Sequence, residues 1–246
     1  MDRMLYVAMA GAKETALAQS RNIQNLANAN TTGFKASLDA FASRPVKGPV
    51  YDTRAYILTQ DLRVDFSPGP LQATGRDLDV AVQGQGWIAV QAPDGTEAYT
   101  RAGDLHIDPM GLLTTGTGLP VLGDGGPIAV PPFETLEIGI DGTITIRPLG
   151  QGGEVLAQVD RIKLVNPDTA QLSLGEDGLI RHAEGVEQPA DAGVTLMRGM
   201  LESSNVSTVE AMVNMIDLAR HFEMQIKMMQ TAKENDAASA KLLSMT

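Results

Sequence analysis

A pair of carboxylates is the first candidate for chemistry in this sequence of 246 residues. Asp77 and Asp79 are two positions apart in a segment with strand-like alternation, so their side chains would point to one face. Two carboxylates on one face can act together in glycoside hydrolysis. Aromatic residues, which line many sugar clefts, make up only 4% of the chain. A surface or turn role for both aspartates is therefore favoured, and a carbohydrate-acting or peptidoglycan-interacting β protein remains an alternative.

Other residue types that carry catalysis are few and scattered. His106, His182 and His221 lie far apart and lack neighbours at metal-ligand spacing, which disfavours a metal site or a histidine base. The absence of cysteine excludes a disulfide scaffold, a zinc–thiolate site and a cysteine nucleophile. Gly84 and Gly86 begin a dinucleotide-binding motif, but the next required glycine is missing and a strand-like run follows. We expect no catalytic residue, no cofactor and no bound metal, and hence no enzyme.

The elements that carry these residues follow from the distribution of helix breakers and charge. All 13 prolines and 24 of the 25 glycines lie between Thr31 and Gly199, and Gly11 is the exception. Both ends of the chain are therefore suited to long helices. The first 47 residues carry a net charge of +3, the last 47 carry −2, and the middle carries −12. An acidic middle lacks the positive patch of a nucleic-acid binder, so nucleic acid is not expected as a partner. A small-molecule substrate is not expected either, because the sequence shows no catalytic constellation.

The N-terminal flank predicts one helix from about Asp2 to Asn30, with Asp2 as its N-cap and Gly33 just beyond its end. Steps of four and three residues trace a heptad seam with two polar interruptions. The seam consists of Leu5, Met9, Ala12, Ala16, Gln19, Ile23, Leu26 and Asn30.

The C-terminal flank predicts a second helix, which opens with the capping-box spacing of Ser207 and Glu210. Its seam consists of Met212, Met215, Ala219, Phe222, Ile226 and Met229 and resumes at Ala240 and Leu243. Val209, Val213 and Ile216 widen the apolar face. A lone two-helix hairpin is marginally stable, because ordering its backbone costs about as much as its apolar burial contributes. We therefore expect the helices to need further partners, although packing against the middle domain is an alternative.

The middle of the chain has the period of a β domain. Leu78, Val80 and Val82 alternate with other residues, and the hairpin signal Asp-Gly occurs at 94–95, 141–142 and 177–178. These patterns predict an α+β protein, with coiled-coil-like terminal helices forming one split module around a mainly antiparallel β domain. The expected divisions are 1–35 for the N-terminal helix, 36–75 for an extended connector, 76–198 for the β domain and 199–246 for the C-terminal helix.

Three blocks of the chain resemble the axial proteins of the bacterial flagellum, the rod and hook family. The first is the signature Asn25, Leu26, Ala27, Asn28, Ala29, Asn30, Thr31, Thr32, Gly33, Phe34 and Lys35. The second block includes Thr74-Gly75, Gly84-Gln-Gly86-Trp87, Tyr99-Thr-Arg101-Ala-Gly103 and Gly126-Pro-Ile128. The third is Leu201-Glu-Ser-Ser-Asn205-Val with the segment from Glu210 to Ile216.

The resemblance implies a structural subunit of the flagellar basal-body rod, in the proximal rod or, as an alternative, the distal rod. Its terminal helices would pack with copies of itself and with other rod proteins in a helical axial tube that transmits motor torque. The residues that would carry assembly are Leu5, Met9, Ile23, Leu26, Val209, Met212, Ile216, Phe222 and Ile226. The rod spans the periplasm, and the resemblance implies passage through the flagellar type III export apparatus. No cleavable signal peptide is evident in the sequence.

Overall fold

The computed structural model describes residues 3–46, 54–149, 156–175 and 177–243. The chain divides into two compact units. The helical unit comprises Met1–Asn28, Ser37–Arg63 and Val206–Thr246, and the β unit comprises Ala29–Ala36 and Val64–Asn205. The expectation of two helices around a mainly antiparallel β region is confirmed.

The helical unit is built on two antiparallel helices. Helix α1 spans Arg3–Ala27 and α2 spans Thr208–Leu243. The Asn22 side chain, late in α1, donates a hydrogen bond of 2.7 Å to the carbonyl of Ala211, early in α2. Strands β1, Ser37–Val46, and β2, Arg54–Val64, form a two-stranded sheet. Within the described residues, neither helix has a stretch long and apolar enough to cross a membrane.

Small side chains occupy the contact between the two helices. Ala8 and Ala18 of α1 and Ala211 and Ala232 of α2 are buried. A Cβ atom added to Gly11 would lie 2.9 Å from the Gln225 side-chain nitrogen, so the helices approach closely there. Small residues permit such an approach because their side chains do not hold the two backbones apart.

The β unit contains sixteen strands in its described residues. They are β3 Leu71–Ala73, β4 Val80–Gln83, β5 Trp87–Gln91, β6 Glu97–Thr100, β7 Leu105–Ile107, β8 Leu113–Thr115, β9 Leu122–Gly123, β10 Gly126–Pro127, β11 Phe133–Ile138, β12 Thr143–Pro148, β13 Ala157–Arg161, β14 Leu164–Val165, β15 Leu172–Leu174, β16 Ile180–His182, β17 Thr195–Arg198 and β18 Met200–Glu202. A 3-10 turn at Thr169–Gln171 precedes β15. The segment 36–75, expected as an extended connector, contains β1, β2 and β3.

The strands form one larger sheet and several smaller ones. The five-stranded sheet has the order β14-β5-β6-β16-β15, and β11, β12 and β13 form a three-stranded sheet in sequence order. The last two strands return to the first two: β17 pairs with β4 and β18 pairs with β3, both antiparallel. The β unit is therefore closed by residues close to its C-terminal end.

Strand β5 is buried on both faces and separates two cores. Ile88 and Val90 pack in the larger core, whereas Trp87 and Ala89 pack in a smaller one with Tyr99. The sequence of a strand that is covered on both sides is a continuous run of apolar residues rather than an alternation of apolar and polar ones. This arrangement places the indole of Trp87 on the side of the sheet opposite to the larger core.

The three predicted Asp-Gly hairpins are confirmed. Asp94-Gly95 joins β5 to β6, Asp141-Gly142 joins β11 to β12, and Asp177-Gly178 lies between β15 and β16. Their glycines have φ angles of +82°, +85° and +79°, in the left-handed region where a side chain is unfavourable. Each Asp carboxylate accepts a hydrogen bond from the backbone N–H two residues later.

These hydrogen bonds favour the ionised form of the turn aspartates. Hydrogen bonds from Thr96 hold the pKa of Asp94 below its usual value, and those from Thr143 do the same for the pKa of Asp141. A carboxyl group with a lowered native pKa stabilises the fold above its ordinary pKa, and that stabilisation is lost as the pH falls through the native pKa. The affected range therefore lies below about pH 4.

We predict that the double variant Asp94→Asn with Asp141→Asn loses less stability in acid than the parent protein. The amide oxygen still accepts the turn hydrogen bond but does not titrate. The thermal midpoint of unfolding should be nearly unchanged at pH 7, and its fall between pH 5 and pH 3 should be smaller. The charge-matched control is Asp124→Asn with Glu134→Gln. An acid response equal to that of the control would contradict the prediction.

Candidate functional site

Two asparagines of the signature segment close the C-terminal end of α1. The Asn25 side chain donates to the Ser37 carbonyl at 2.8 Å and accepts from the Ser37 N–H at 3.0 Å. The Asn28 side chain donates to the Gln24 carbonyl at 2.9 Å, and the Asn28 backbone N–H donates to the same carbonyl at 3.1 Å. Asn25 thus binds both backbone groups of the first residue of β1, and an amide is suited to this because it carries a donor and an acceptor.

Gly33, the signature glycine, lies against the β unit. Its φ angle is +68°, and its N–H donates to the Glu202 carbonyl at 2.7 Å. A Cβ atom here would come within 2.2 Å of the backbone of both Arg101 and Ala102. Residues other than glycine are therefore excluded by conformation and by space. Thr31 and Phe34 form the turn around it, with the Phe34 N–H donating to the Thr31 carbonyl at 3.3 Å.

Three buried charges meet beside this glycine. The Lys35 ammonium lies 2.5 Å from one Glu202 carboxylate oxygen, and the Arg101 guanidinium lies 2.9 Å from the other. Their side chains are 2%, 5% and 1% exposed for Lys35, Arg101 and Glu202. The Gly69 N–H also donates to the carboxylate at 3.0 Å. We call these three residues the charge cluster; it contains two cations and one anion.

Backbone and aromatic groups complete the surroundings of the charge cluster. Lys35 donates to the Ser67 carbonyl at 2.7 Å, and Arg101 donates to the Gly84 carbonyl at 2.8 Å. The Arg101 guanidinium also lies over the Trp87 ring, 5.1 Å from its centroid, within the range of a cation–π interaction. Burial lowers the pKa of Lys35, while its hydrogen bond to Glu202 opposes that shift.

Asn205 binds β-unit residues close to three of the four points at which the chain passes between the two units. Its side chain accepts from the Ala36 N–H at 2.8 Å and donates to the Asp65 carbonyl at 2.9 Å. The Asp65 N–H in turn donates to the Ala36 carbonyl at 2.8 Å. Three of the four changes of unit lie directly after Ala36, directly before Val64 and directly after Asn205. The side-chain amide of Asn205 therefore binds β-unit residues close to all three of these points.

The site residues predicted for assembly fall into two groups in the helical unit. The exposed fractions are 54% for Met9, 48% for Ile23, 72% for Val209, 54% for Met212 and 54% for Ile216. The partly buried members of the predicted set are Leu5, Leu26, Phe222 and Ile226. Leu5 and Ile226 together line an apolar groove of about 310 Å³. Their role in assembly stays a prediction.

The carboxylate pair considered from the sequence does not form. Asp79 is 4% exposed and makes an ion pair with Arg76 at 3.2 Å, whereas Asp77 is exposed and precedes β4. The strand alternation that suggested a shared face begins later, because β4 starts at Val80. Within the described residues, no group of three acidic or histidine side chains could hold a metal ion.

Sequence reasoning missed the charge cluster as a site. Each of the three family-like blocks contains one of its members, Lys35, Arg101 or Glu202. Arg101 is 66 positions after Lys35, and Glu202 is 101 positions after Arg101, so their contact is not evident from the sequence. The available signal was that each of these three charged residues has uncharged neighbours on both sides in the sequence. Composition and periodicity do not show which charged residues are buried.

We predict that Gly33→Ala destabilises the β unit more than Gly75→Ala does. Both glycines have a positive φ, +68° and +71°, but a Cβ at Gly75 would have no atom within 4 Å. Each variant should lose about 1 kcal/mol from the left-handed conformation. The clash with Arg101 and Ala102 should cost Gly33→Ala about 2 kcal/mol more, measured by denaturant unfolding. Equal losses would contradict the packing role.

Comparisons with known proteins match the chain to flagellar proteins, both by segment and over its full length. Residues 197–242 match the family described as "Flagellar basal body rod FlgEFG protein C-terminal", and residues 81–146 match "Flagellar hook protein FlgE/F/G D1 domain". Flagellar basal-body rod protein FlgF of Salmonella typhimurium is 43% identical, and that of Escherichia coli is 41% identical, each over the full length of both chains. FlgG of Bacillus subtilis is 31% identical over 95% of this chain and 96% of its own. The chain belongs to the family of flagellar basal-body rod proteins.

Proposed function

We propose that the helical unit assembles this chain into the proximal rod, with its exposed apolar side chains packing against copies of itself and other rod proteins. As a member of the rod family, the protein is a structural subunit of the flagellar basal body. The observation that carries the proposal is the exposed apolar surface of the two helices.

On α2 this surface begins at its first turn. Val209, Met212, Val213 and Ile216 are 72%, 54%, 52% and 54% exposed, and steps of three and four place Val209, Met212 and Ile216 on one side of the helix. Ala211, between them in sequence, is buried. Removing such side chains from water contributes about 1.5–3 kcal/mol each. A contact that covers several of them on each subunit would therefore drive association.

The division of residue sizes supports the same interface. The helices meet each other through small residues such as Ala8, Ala18 and Ala211, whereas large apolar residues such as Met9 and Ile23 remain exposed. The predicted seam of α2 is partly buried at Met215, Phe222 and Ile226, whereas Val209, Val213 and Ile216, which widen its apolar face, are exposed. In the proposal, these exposed positions beside the seam therefore serve the contacts between chains.

The architecture of the rod follows from the type of contact. Contacts between two different surfaces, repeated from subunit to subunit, build a helical tube when they do not close into a ring. Such a tube around the flagellar axis, spanning the periplasm, would transmit motor torque. The higher identity to the two FlgF relatives than to the FlgG relative supports the proximal rather than the distal rod.

The route of assembly is also part of the proposal. We place the flagellar type III export apparatus among the partners, because a subunit of a rod that spans the periplasm has to cross the inner membrane. We assign the chain no catalytic activity, and the relatives compared are named as rod proteins.

We predict that Ile216→Glu abolishes rod assembly without unfolding the subunit. The side chain is 54% exposed, so a carboxylate there remains hydrated in the free protein but would be buried without a partner at an interface, which costs several kcal/mol. Soft-agar motility and electron microscopy of isolated basal bodies measure assembly, and circular dichroism of the purified protein measures folding.

The matched control is Thr231→Glu, which adds the same charge at an exposed position of the same helix. It should support motility. Ile216 is a sharper probe than Leu26 or Ile226, because those residues are partly buried and their substitution would also weaken the helical unit. Normal rods containing the Ile216→Glu protein would overturn the proposed interface.

A further inference from the structure

We propose that Glu202 and Asn205 form a docking switch, which lets the N-terminal connector bind the β unit only when the C-terminal connector is in place. The N-terminal connector is residues 29–36, and the C-terminal connector is residues 199–205. Both belong to the β unit. The proposal concerns the order in which the chain's own segments dock and does not depend on the assembly interface.

The hydrogen bonds of the N-terminal connector point to this order. The Gly33 N–H donates to the Glu202 carbonyl at 2.7 Å, and the Asn205 N–H donates to the Phe34 carbonyl at 3.4 Å. The Ala36 N–H donates to the Asn205 side chain at 2.8 Å. Each of these three bonds has its partner in the C-terminal connector. Without that connector, the backbone groups of residues 33–36 would lose most of their protein partners.

The charge cluster strengthens this dependence. Lys35 is 2% exposed and its ammonium contacts Glu202, while Arg101 lies on the other side of the same carboxylate. Without Glu202, Lys35 would keep the Ser67 carbonyl and a weaker attraction to Asp65, and it would face the charge of Arg101. A buried cation that has lost its counter-ion is strongly unfavourable. Undocking, which returns Lys35 to water, removes that cost.

The C-terminal connector does not depend on the N-terminal one in the same way. Its strand β18 pairs with β3, from Met200 opposite Ala73 to Glu202 opposite Leu71. The Ser203 N–H also donates to the Pro70 carbonyl at 2.9 Å. These bonds do not involve residues 29–36. The C-terminal connector can therefore dock first and supply the groups that the N-terminal connector binds.

Arg101 is held in place independently of both connectors. It donates to the Gly84 carbonyl and lies over Trp87, and both partners belong to the body of the β unit. Removal of the Glu202 charge should therefore displace Lys35 rather than Arg101. The consequence is that the segment leading out of α1 stays undocked until the last residues of the β unit have folded.

Hydrogen exchange of the full-length protein, resolved by residue, tests the switch in Glu202→Gln. This variant keeps the shape of the side chain but removes its charge. Exchange of the Gly33 and Ala36 amides should accelerate about 100-fold or more, because docking then opens locally, whereas the Ile88 and Val90 amides in β5 should change far less. Uniform acceleration throughout the β unit, or unchanged exchange at Gly33 and Ala36, would overturn the proposal.

The matched control is Glu97→Gln, which removes the carboxylate of another shielded ion pair, Glu97 with Lys163 at 2.6 Å. The bonded partners of Glu97, Lys163 and Gln188, lie outside both connectors. This variant should not accelerate exchange selectively at Gly33 or Ala36. If it produces the same pattern as Glu202→Gln, general loss of stability explains the result and the switch is refuted.

Two further variants keep the test decisive if Glu202→Gln folds poorly. Asn205→Ala removes the side-chain bonds to Ala36 and Asp65 without altering the charge cluster, and it should also open the N-terminal connector selectively. The double variant Lys35→Met with Glu202→Gln lacks the buried ammonium that has lost its counter-ion. Exchange of the Gly33 amide should therefore be slower in this double variant than in Glu202→Gln alone. No selective opening in Asn205→Ala, or no slowing in the double variant, would contradict the mechanism.

Discussion

The ion pairing of the buried Glu202 carboxylate is the interaction on which the docking of the N-terminal connector on the β unit depends. The carboxylate is 1% exposed and contacts two cations, Lys35 and Arg101, that lie far from it in the sequence. Desolvation of three charges is costly, and it is offset only where each charge has close partners of fitting geometry. The Gly69 N–H, the Ser67 carbonyl and the Trp87 ring complete those partners. A chain that places any one of these segments differently leaves a charge unpaired, so the cluster selects a single arrangement of the connectors.

The helical unit follows a different rule, in which side-chain size decides which contacts form within one chain. Gly11, Ala18 and Ala211 allow the two helices to approach closely, and Asn22 adds a directed hydrogen bond to the Ala211 carbonyl. Larger side chains on that face would force the helices apart. Large apolar residues such as Ile216 lie where intrachain packing does not cover them. These side chains can therefore be buried against a neighbouring subunit, as the proposed assembly requires.

Local features of the fold could be predicted from the sequence, and long-range features could not. Helix α1 lies within the predicted span and the Asp-Gly hairpins form where expected, because glycine, proline and capping preferences act over a few residues. The predicted seam of α1 includes Ala12, which is buried, but it also includes the exposed Met9 and misses Ala8 and Ala18, which are buried. The charge cluster could not be predicted in this way. No residue near Glu202 in the sequence indicates that its partner is Lys35, which is 167 positions away.

An apolar cluster at the same position would bury area without setting the register of the connectors. Apolar contacts are non-directional and tolerate a shifted neighbour, whereas the Glu202 carboxylate accepts from Lys35, Arg101 and Gly69 at fixed positions. A shift of the N-terminal connector by one residue would place Phe34 or Ala36 against the carboxylate and leave Lys35 without its counter-ion. Gly33 enforces the same register independently, because only glycine fits against Arg101 and Ala102. A directional, buried charge cluster beside an obligatory glycine therefore holds the N-terminal connector in a single register on the β unit.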